Sequence, residues 1–212
     1  AKEVIWRDYA QNVIDQFPDY PHESYRDYDE RTLWRNPNAG HLIAQDFACW
    51  QKGMTGYPVV DAGMRQLWQT GWMHNRVRMI VASFLVKHLL HPWQAGERWF
   101  WDTLVDADPA TNPASWQWVA GCGADAAPYF RIFNPIGQAE KFDPEGTYIK
   151  TWVPELARLP AAFIAKPWEA SPLILHAAGV KLGQIYPEPI IRHEEGRARA
   201  LEAFQSLKKE AA

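Results

Sequence analysis

The sequence predicts a single all-α domain spanning residues 1–212. Three observations carry that expectation. Apolar residues recur at helical spacing along nearly the whole chain, glycine and proline fall where helices would stop and start, and no segment alternates with the two-residue period of a strand. Hydrophobic residues make up 47% of the chain and charged residues 22%, a balance that can bury a core and excludes a disordered chain.

Val4, Ile5, Tyr9, Val13, Ile14 and Phe17 share the first helical repeat, which Pro18 closes. Residues 18–40, rich in proline and aspartate, read as an irregular connection with Trp34 near its end. A helix over 42–52 is stopped by Gly53. Pro58 suits the first turn of the next helix, and Gly71 ends it. Residues 73–90 read as one long, mostly buried helix, and 95–105 as another. Asn112-Pro113 looks like a capping residue followed by a first-turn proline, opening a short helix through Trp116 and Trp118. Residues 121–142 read as loop-rich. Helices over 145–152, 172–178 and 194–209 complete the series, the last with a solvated charged face and no functional role. The chain has no initiator methionine and enters a helix at once, so it is expected to be a piece of a longer protein.

Composition narrows the function. A net charge of −3 excludes a polycation that coats nucleic acid, so any DNA contact needs a local basic patch. Cys49 and Cys122 have neither metal-ligand nor redox spacing and read as small core residues of a cytoplasmic protein. The longest apolar stretch, 79–90, is broken by Lys87 and His88 and is too short to span a bilayer.

Two patterns suggest chemistry. In Gly71-Trp72-Met73-His74-Asn75-Arg76-Val77-Arg78-Met79, the two arginines are two residues apart, about 200° around a helix. One can face a solvent cavity while the other faces a buried carboxylate, for which Asp106 and Asp108 are candidates. Two surface arginines at a helix start are an equal alternative. The second pattern is tryptophan, with twelve in the chain. A single indole most often fills a core. Trp116-Gln117-Trp118 is different, because residues two apart on a helix cannot share a face. One indole can pack inward while the other borders a cavity, where it would suit stacking on a base.

Together with Gly123-Ala124-Asp125-Ala126-Ala127-Pro128-Tyr129-Phe130-Arg131-Ile132-Phe133-Asn134-Pro135, these segments resemble the photolyase/cryptochrome family from Glu3 to about Pro189, most nearly its class I CPD photolyases. The resemblance implies a helical domain that binds FAD at the bottom of a cavity, into which a pyrimidine dimer is flipped from damaged DNA. It places Arg7, Trp72, Asn75, Arg78, Asp106, Asp108 and Asn112 around the flavin. Asp106 would pair with Arg78, Asp108 would accept from the ring edge, and Asn112 would sit opposite N5. Glu3, Trp6, Asn75, Arg76, Met79 and Trp118 match the wall that touches the dimer, with Trp6 and Trp118 stacking on it and Glu3 binding its base edges. Arg76 and Gln138 would lie near the DNA backbone. Trp116, Trp93 and Trp34, in that order outward, match an electron-hopping chain. No metal is implied.

The activity so implied is light-driven repair of cyclobutane dimers by an electron from reduced FAD, in a monomeric cytoplasmic lyase that meets the bacterial nucleoid when bound to DNA. Asn112, the Trp6–Trp118 pair and Asn75-Arg76 set the chain apart from plant cryptochromes and from the six-four and animal groups. Residues 124–128 do not match the DASH pattern. The amino-terminal antenna-chromophore domain and the segment that holds the FAD diphosphate are not in this sequence. The alternatives are a cryptochrome-type blue-light receptor and a flavin-free helical fragment.

Overall fold

A computed structural model describes residues 2–26, 34–35, 41–125 and 130–210, with the side chains of 2–3, 41–42 and 208–210 left out. Its helices are α1 (Lys2–Gln16), α2 (His41–Lys52), α3 (Pro58–Thr70), α4 (Asn75–Ser83), α5 (Trp93–Thr103), α6 (Thr111–Ala120), α7 (Pro135–Phe142), α8 (Thr147–Trp152), α9 (Ala161–Ile164), α10 (Pro172–Ala178) and α11 (His193–Glu210). Among the described residues there is no strand, only an isolated bridge between Leu182 and Tyr186. The all-α expectation holds.

Helix α3 lies at the centre, packed against α2, α4, α7 and α8, while α5 packs on α6. Its first turn holds Pro58, and Gly71 ends it at φ 68°, donating its N–H to the Leu67 carbonyl. Val60 and Ala62 are fully buried on α3, in one core with Trp50, Leu85 and Trp93. Asp61 is buried there too, and is fully engaged. Its carboxylate accepts from the Thr55 N–H and hydroxyl at 2.7 and 2.6 Å, the Gly56 N–H at 3.1 Å and the Tyr186 hydroxyl at 2.6 Å. Burial raises its pKa while these donors pull it back.

Three local expectations need correction. The expected helix over 73–90 starts later and ends differently. His74 caps α4, its Nδ1 accepting the Arg76 N–H at 3.1 Å. After Ser83 the chain widens into a π-helical turn, Phe84–His88, and Leu90 then takes a positive φ of 54°. The turn buries both Lys87 and His88. Lys87 keeps its polar end satisfied by donating to the Ala120 carbonyl at 2.5 Å.

Helix α6 is capped not by Asn112 but by Asp108. Asp108 Oδ1 accepts the N–H groups of Ala110 and Thr111 at 3.1 and 2.8 Å and the Thr111 hydroxyl at 3.0 Å. Asn112 therefore lies inside the first turn. The stretch 121–142, expected to be loop-rich, contains α7. Asn134 caps it by accepting from the Ile136 and Gly137 N–H groups, and Pro135 follows at the first position.

Candidate functional site

A cavity of about 370 Å³ opens between α1, α4, the α5–α6 connection and α6. Its volume falls within the usual range for a small-molecule site. Helix α1 contributes Trp6 and Arg7, α4 contributes Asn75, Arg78 and Met79, the connection contributes Asp106 and Asp108, and α6 contributes Asn112, Trp116 and Trp118. Residues far apart in the chain thus line one space; all of them but Trp116, expected in the electron-hopping series, were named from sequence for the cavity.

Arg78 is the cavity arginine. Its Nη2 meets Asp106 Oδ2 at 2.9 Å and its Nε donates to the Met73 carbonyl at 2.7 Å. The pair was expected to be buried, yet Asp106 is half exposed because the pair stands at the cavity edge. Arg76 points away, as the 200° offset requires, with its guanidinium 4.0 Å from the Phe142 ring centroid. Asp108 does double duty. Its Oδ1 caps α6, and its Oδ2 stands 3.8 Å from Arg7 Nη2. Partial burial works to raise its pKa, but the Thr111 and Ala110 hydrogen bonds and Arg7 outweigh it and hold the carboxyl below its ordinary value.

Asn112 is nearly buried, and its Nδ2 donates to both the backbone carbonyl and the Oε1 of Glu97, at 3.1 and 2.8 Å. Both contacts are acceptors, so the amide nitrogen must face Glu97 and the carbonyl oxygen is left for whatever enters the cavity. Burial raises the Glu97 pKa, and the Asn112 bond opposes the shift. Sequence reasoning missed Glu97, because a glutamate beside Arg98 on a helix reads as part of a solvated face.

Trp116 is buried in the cavity wall, edge-on to Phe100 at 4.9 Å and to Trp50 at 6.2 Å. Its ring also closes on Gly96 of α5, three residues beyond Trp93. Trp93 is buried in the same apolar cluster, its indole N–H donating to Ser24 Oγ at 3.0 Å. Trp34 is buried in the same apolar cluster. Trp50, absent from the expected series, has its ring centroid 6.2 Å from that of Trp116 and 6.3 Å from that of Phe100.

Not every expected site residue reaches the lining. Trp72, expected beside the flavin, is about half exposed and packs edge-on against His74, because the Gly71 turn carries it out of the cavity. Arg76, expected on the dimer wall, is not in the lining, and Gln138, expected near the DNA backbone, lies outside it as well. The Glu3 side chain lies outside the described residues, as do 126–129 of the long motif.

The lining fits a flavin. Arg7, Arg78, Asn75 and Asn112 offer donors or acceptors to ring carbonyls and nitrogens, Asp106 and Asp108 accept from a ring N–H, and the indoles cover an aromatic face. The Trp116 Nε1 is buried without a hydrogen-bond partner among the described residues.

A helical domain whose cavity joins paired arginines and aspartates to indole walls has the donors, acceptors and aromatic faces of a flavin-binding protein. Residues 1–206 match the family model described as the FAD binding domain of DNA photolyase, and the chain belongs to that family. It is 55% identical over 208 residues to the deoxyribodipyrimidine photo-lyase of Agrobacterium fabrum, covering 98% of this chain and 42% of that protein. A crystal structure of a bacterial class III photolyase from Agrobacterium tumefaciens superposes with a TM-score of 0.92 at 55% identity, over 98% of this chain and 42% of the other. Arabidopsis thaliana Cryptochrome-1 is 43% identical over 213 residues, 97% of this chain and 29% of that protein. The chain thus spans about two fifths of the length of the photo-lyase relative.

Proposed function

We propose that this cavity holds FAD and that the protein containing it repairs cyclobutane pyrimidine dimers in DNA under light. Bound reduced FAD supplies the light-excited electron that opens the dimer. The chain's own residues bind, orient and exclude water. Arg78, held by Asp106, and Arg7, set against Asp108, bring fixed positive charge to the cofactor's polar edge. Asn112, its amide turned by Glu97, offers an acceptor. Trp6 and Trp118 border the same cavity from α1 and α6 and would stack on a flipped dimer. Trp116, Trp93 and Trp34, buried in one cluster, would relay electrons to the flavin from outside.

The observation that carries this reading is the single cavity in which a flavin-complementary polar set and two partly exposed indoles meet. The likeness to a class III photolyase gives the class I expectation no support. A second reading, a blue-light receptor, is favoured by the likeness to Cryptochrome-1. The distinguishing experiment is to purify the full protein that contains this chain without added cofactor, release any chromophore by denaturation, and assay a thymine-dimer oligonucleotide under blue light. Stoichiometric FAD with repair is the expected result. FAD with a persistent photoreduced flavin and no repair favours the receptor. A folded helical protein that neither carries nor takes up FAD sinks both readings.

A further inference from the structure

Two imidazoles set ring nitrogen to ring nitrogen share a hydrogen bond only while one of them keeps a lone pair, so full protonation of both breaks the contact. His88 Nε2 and His193 Nδ1 are 2.8 Å apart in the interior. His88 closes the π-helical turn after α4, stacked on Phe84 at 4.9 Å. His193 opens α11. Two more contacts tie α11 to the same residue. Gly196 comes so close that a Cβ there would stand 2.9 Å from His88 Cδ2, and Arg199 Nη2 donates to the His88 carbonyl.

We propose that α11 is docked by a proton-sensitive latch, His88 with His193, and that acidification below neutrality releases the helix and loosens one wall of the cavity.

The surroundings favour release. Among the described residues neither ring forms an ion pair with a carboxylate. From α11, Arg199 disfavours a charge on His88, while Glu194 and Arg197 act on His193 in opposite directions. Tyr57, at the start of α3, faces His88 at 6.5 Å, and Lys87 of the same turn is directed to Ala120 instead. Burial, then His193 and Arg199, hold the His88 pKa down to about 3, and burial lowers that of His193. Both folded values lie below the unfolded imidazole value, so the docked state binds fewer protons. Docking is complete above about pH 6.5 and weakens as pH falls below it.

The latch reaches the cavity through packed rings. Phe204 of α11 stacks on Phe130 at 4.3 Å, and Lys87 Nζ lies 3.5 Å from the Phe130 ring centroid while holding the last carbonyl of α6. Helix α6 carries Asn112, Trp116 and Trp118. Undocking α11 uncovers Phe130 and frees that end of α6.

Hydrogen–deuterium exchange at pH 7.5 and 5.5, corrected for intrinsic rates, tests the latch. The expected result is an opening constant for α11 that rises about tenfold for each histidine whose proton uptake is blocked by docking, while α3 stays protected. Exchange at the end of α6 should rise with it. His193→Gln, which keeps a polar side chain without titrating, should flatten the dependence. Unchanged α11 protection between the two pH values, or the same dependence in His193→Gln, overturns the proposal. If His193→Gln undocks α11 at both pH values, His88→Asp decides. A carboxylate there holds a charged His193, so α11 protected at pH 5.5 supports the latch and loss of protection overturns it.

Discussion

Replacing Gly96 by alanine sets two effects of opposite sign against each other. Gly96 lies inside α5, where alanine is favoured over glycine by roughly 0.8–1 kcal/mol through helix propensity alone. A Cβ at this position would stand 2.2 Å from Trp116 Cη2, 2.5 Å from Cζ3 and 2.7 Å from Leu85 Cδ2. The indole cannot swing aside freely, being buried and held edge-on by Phe100 and Trp50. Ring or helix must give by about an ångström, and such overpacking costs about 1–3 kcal/mol. The net expectation is a loss of up to about 2 kcal/mol, or a fall in Tm of about 4–8 °C at the upper end for a chain of this size. Gly137 in α7 is the control. Its nearest neighbours to a Cβ are Asn134 atoms at 3.9 Å, so Gly137→Ala should stabilise by about 0.5–1 kcal/mol. Thermal and urea unfolding followed by tryptophan fluorescence read both variants. If Gly96→Ala stabilises as Gly137→Ala does, Trp116 does not rest on α5 and the reasoning about the cavity wall fails.

Other substitutions test other parts of the site. Asp61→Asn places an NH₂ among four donors in a fully buried pocket and should cost about 3 kcal/mol in urea denaturation, and a change under 1 kcal/mol would refute the network. Asn112→Asp sets a second carboxyl where the amide stands 2.8 Å from Glu97 Oε1. One of the two acids then keeps its proton to higher pH, so relative to wild type the variant should lose about 1–3 kcal/mol at pH 8 and recover as pH falls. A penalty that is the same at pH 5.5 and pH 8 would show that the two side chains do not meet. Trp6→Ala should weaken binding of dimer-containing DNA by about 1–3 kcal/mol in a titration, and undiminished affinity would remove Trp6 from the substrate wall.

The legible parts of this protein are those that local rules govern. Pro58 and Gly71 bound α3 where the turn chemistry requires, and Pro172 and Gly179 do the same for α10. The opposed directions of Arg76 and Arg78 follow from helix geometry alone. The π-helical turn at 84–88 was not legible, because its extra residue is set by how Lys87 and His88 pack against α6 and α11, far away in sequence. Asn112-Pro113 and Asn134-Pro135 look alike as cap signals, yet only Asn134 caps a helix, since Asp108 reaches the α6 terminus first and Glu97 takes the Asn112 amide. Most of the cavity residues came from the family resemblance and not from spacing. Glu97 and Trp50, which touch those residues from behind, carried no signal of their own.

The most direct test of the central claim is light-dependent repair. The protein containing this chain, with its FAD reduced, is mixed with an oligonucleotide bearing one thymine dimer, and intact thymines are counted after blue-light illumination and in the dark. The account predicts repair in the light only, lost when Trp6 and Trp118 are both replaced by alanine. An illuminated, FAD-loaded protein that leaves the dimer intact would contradict it.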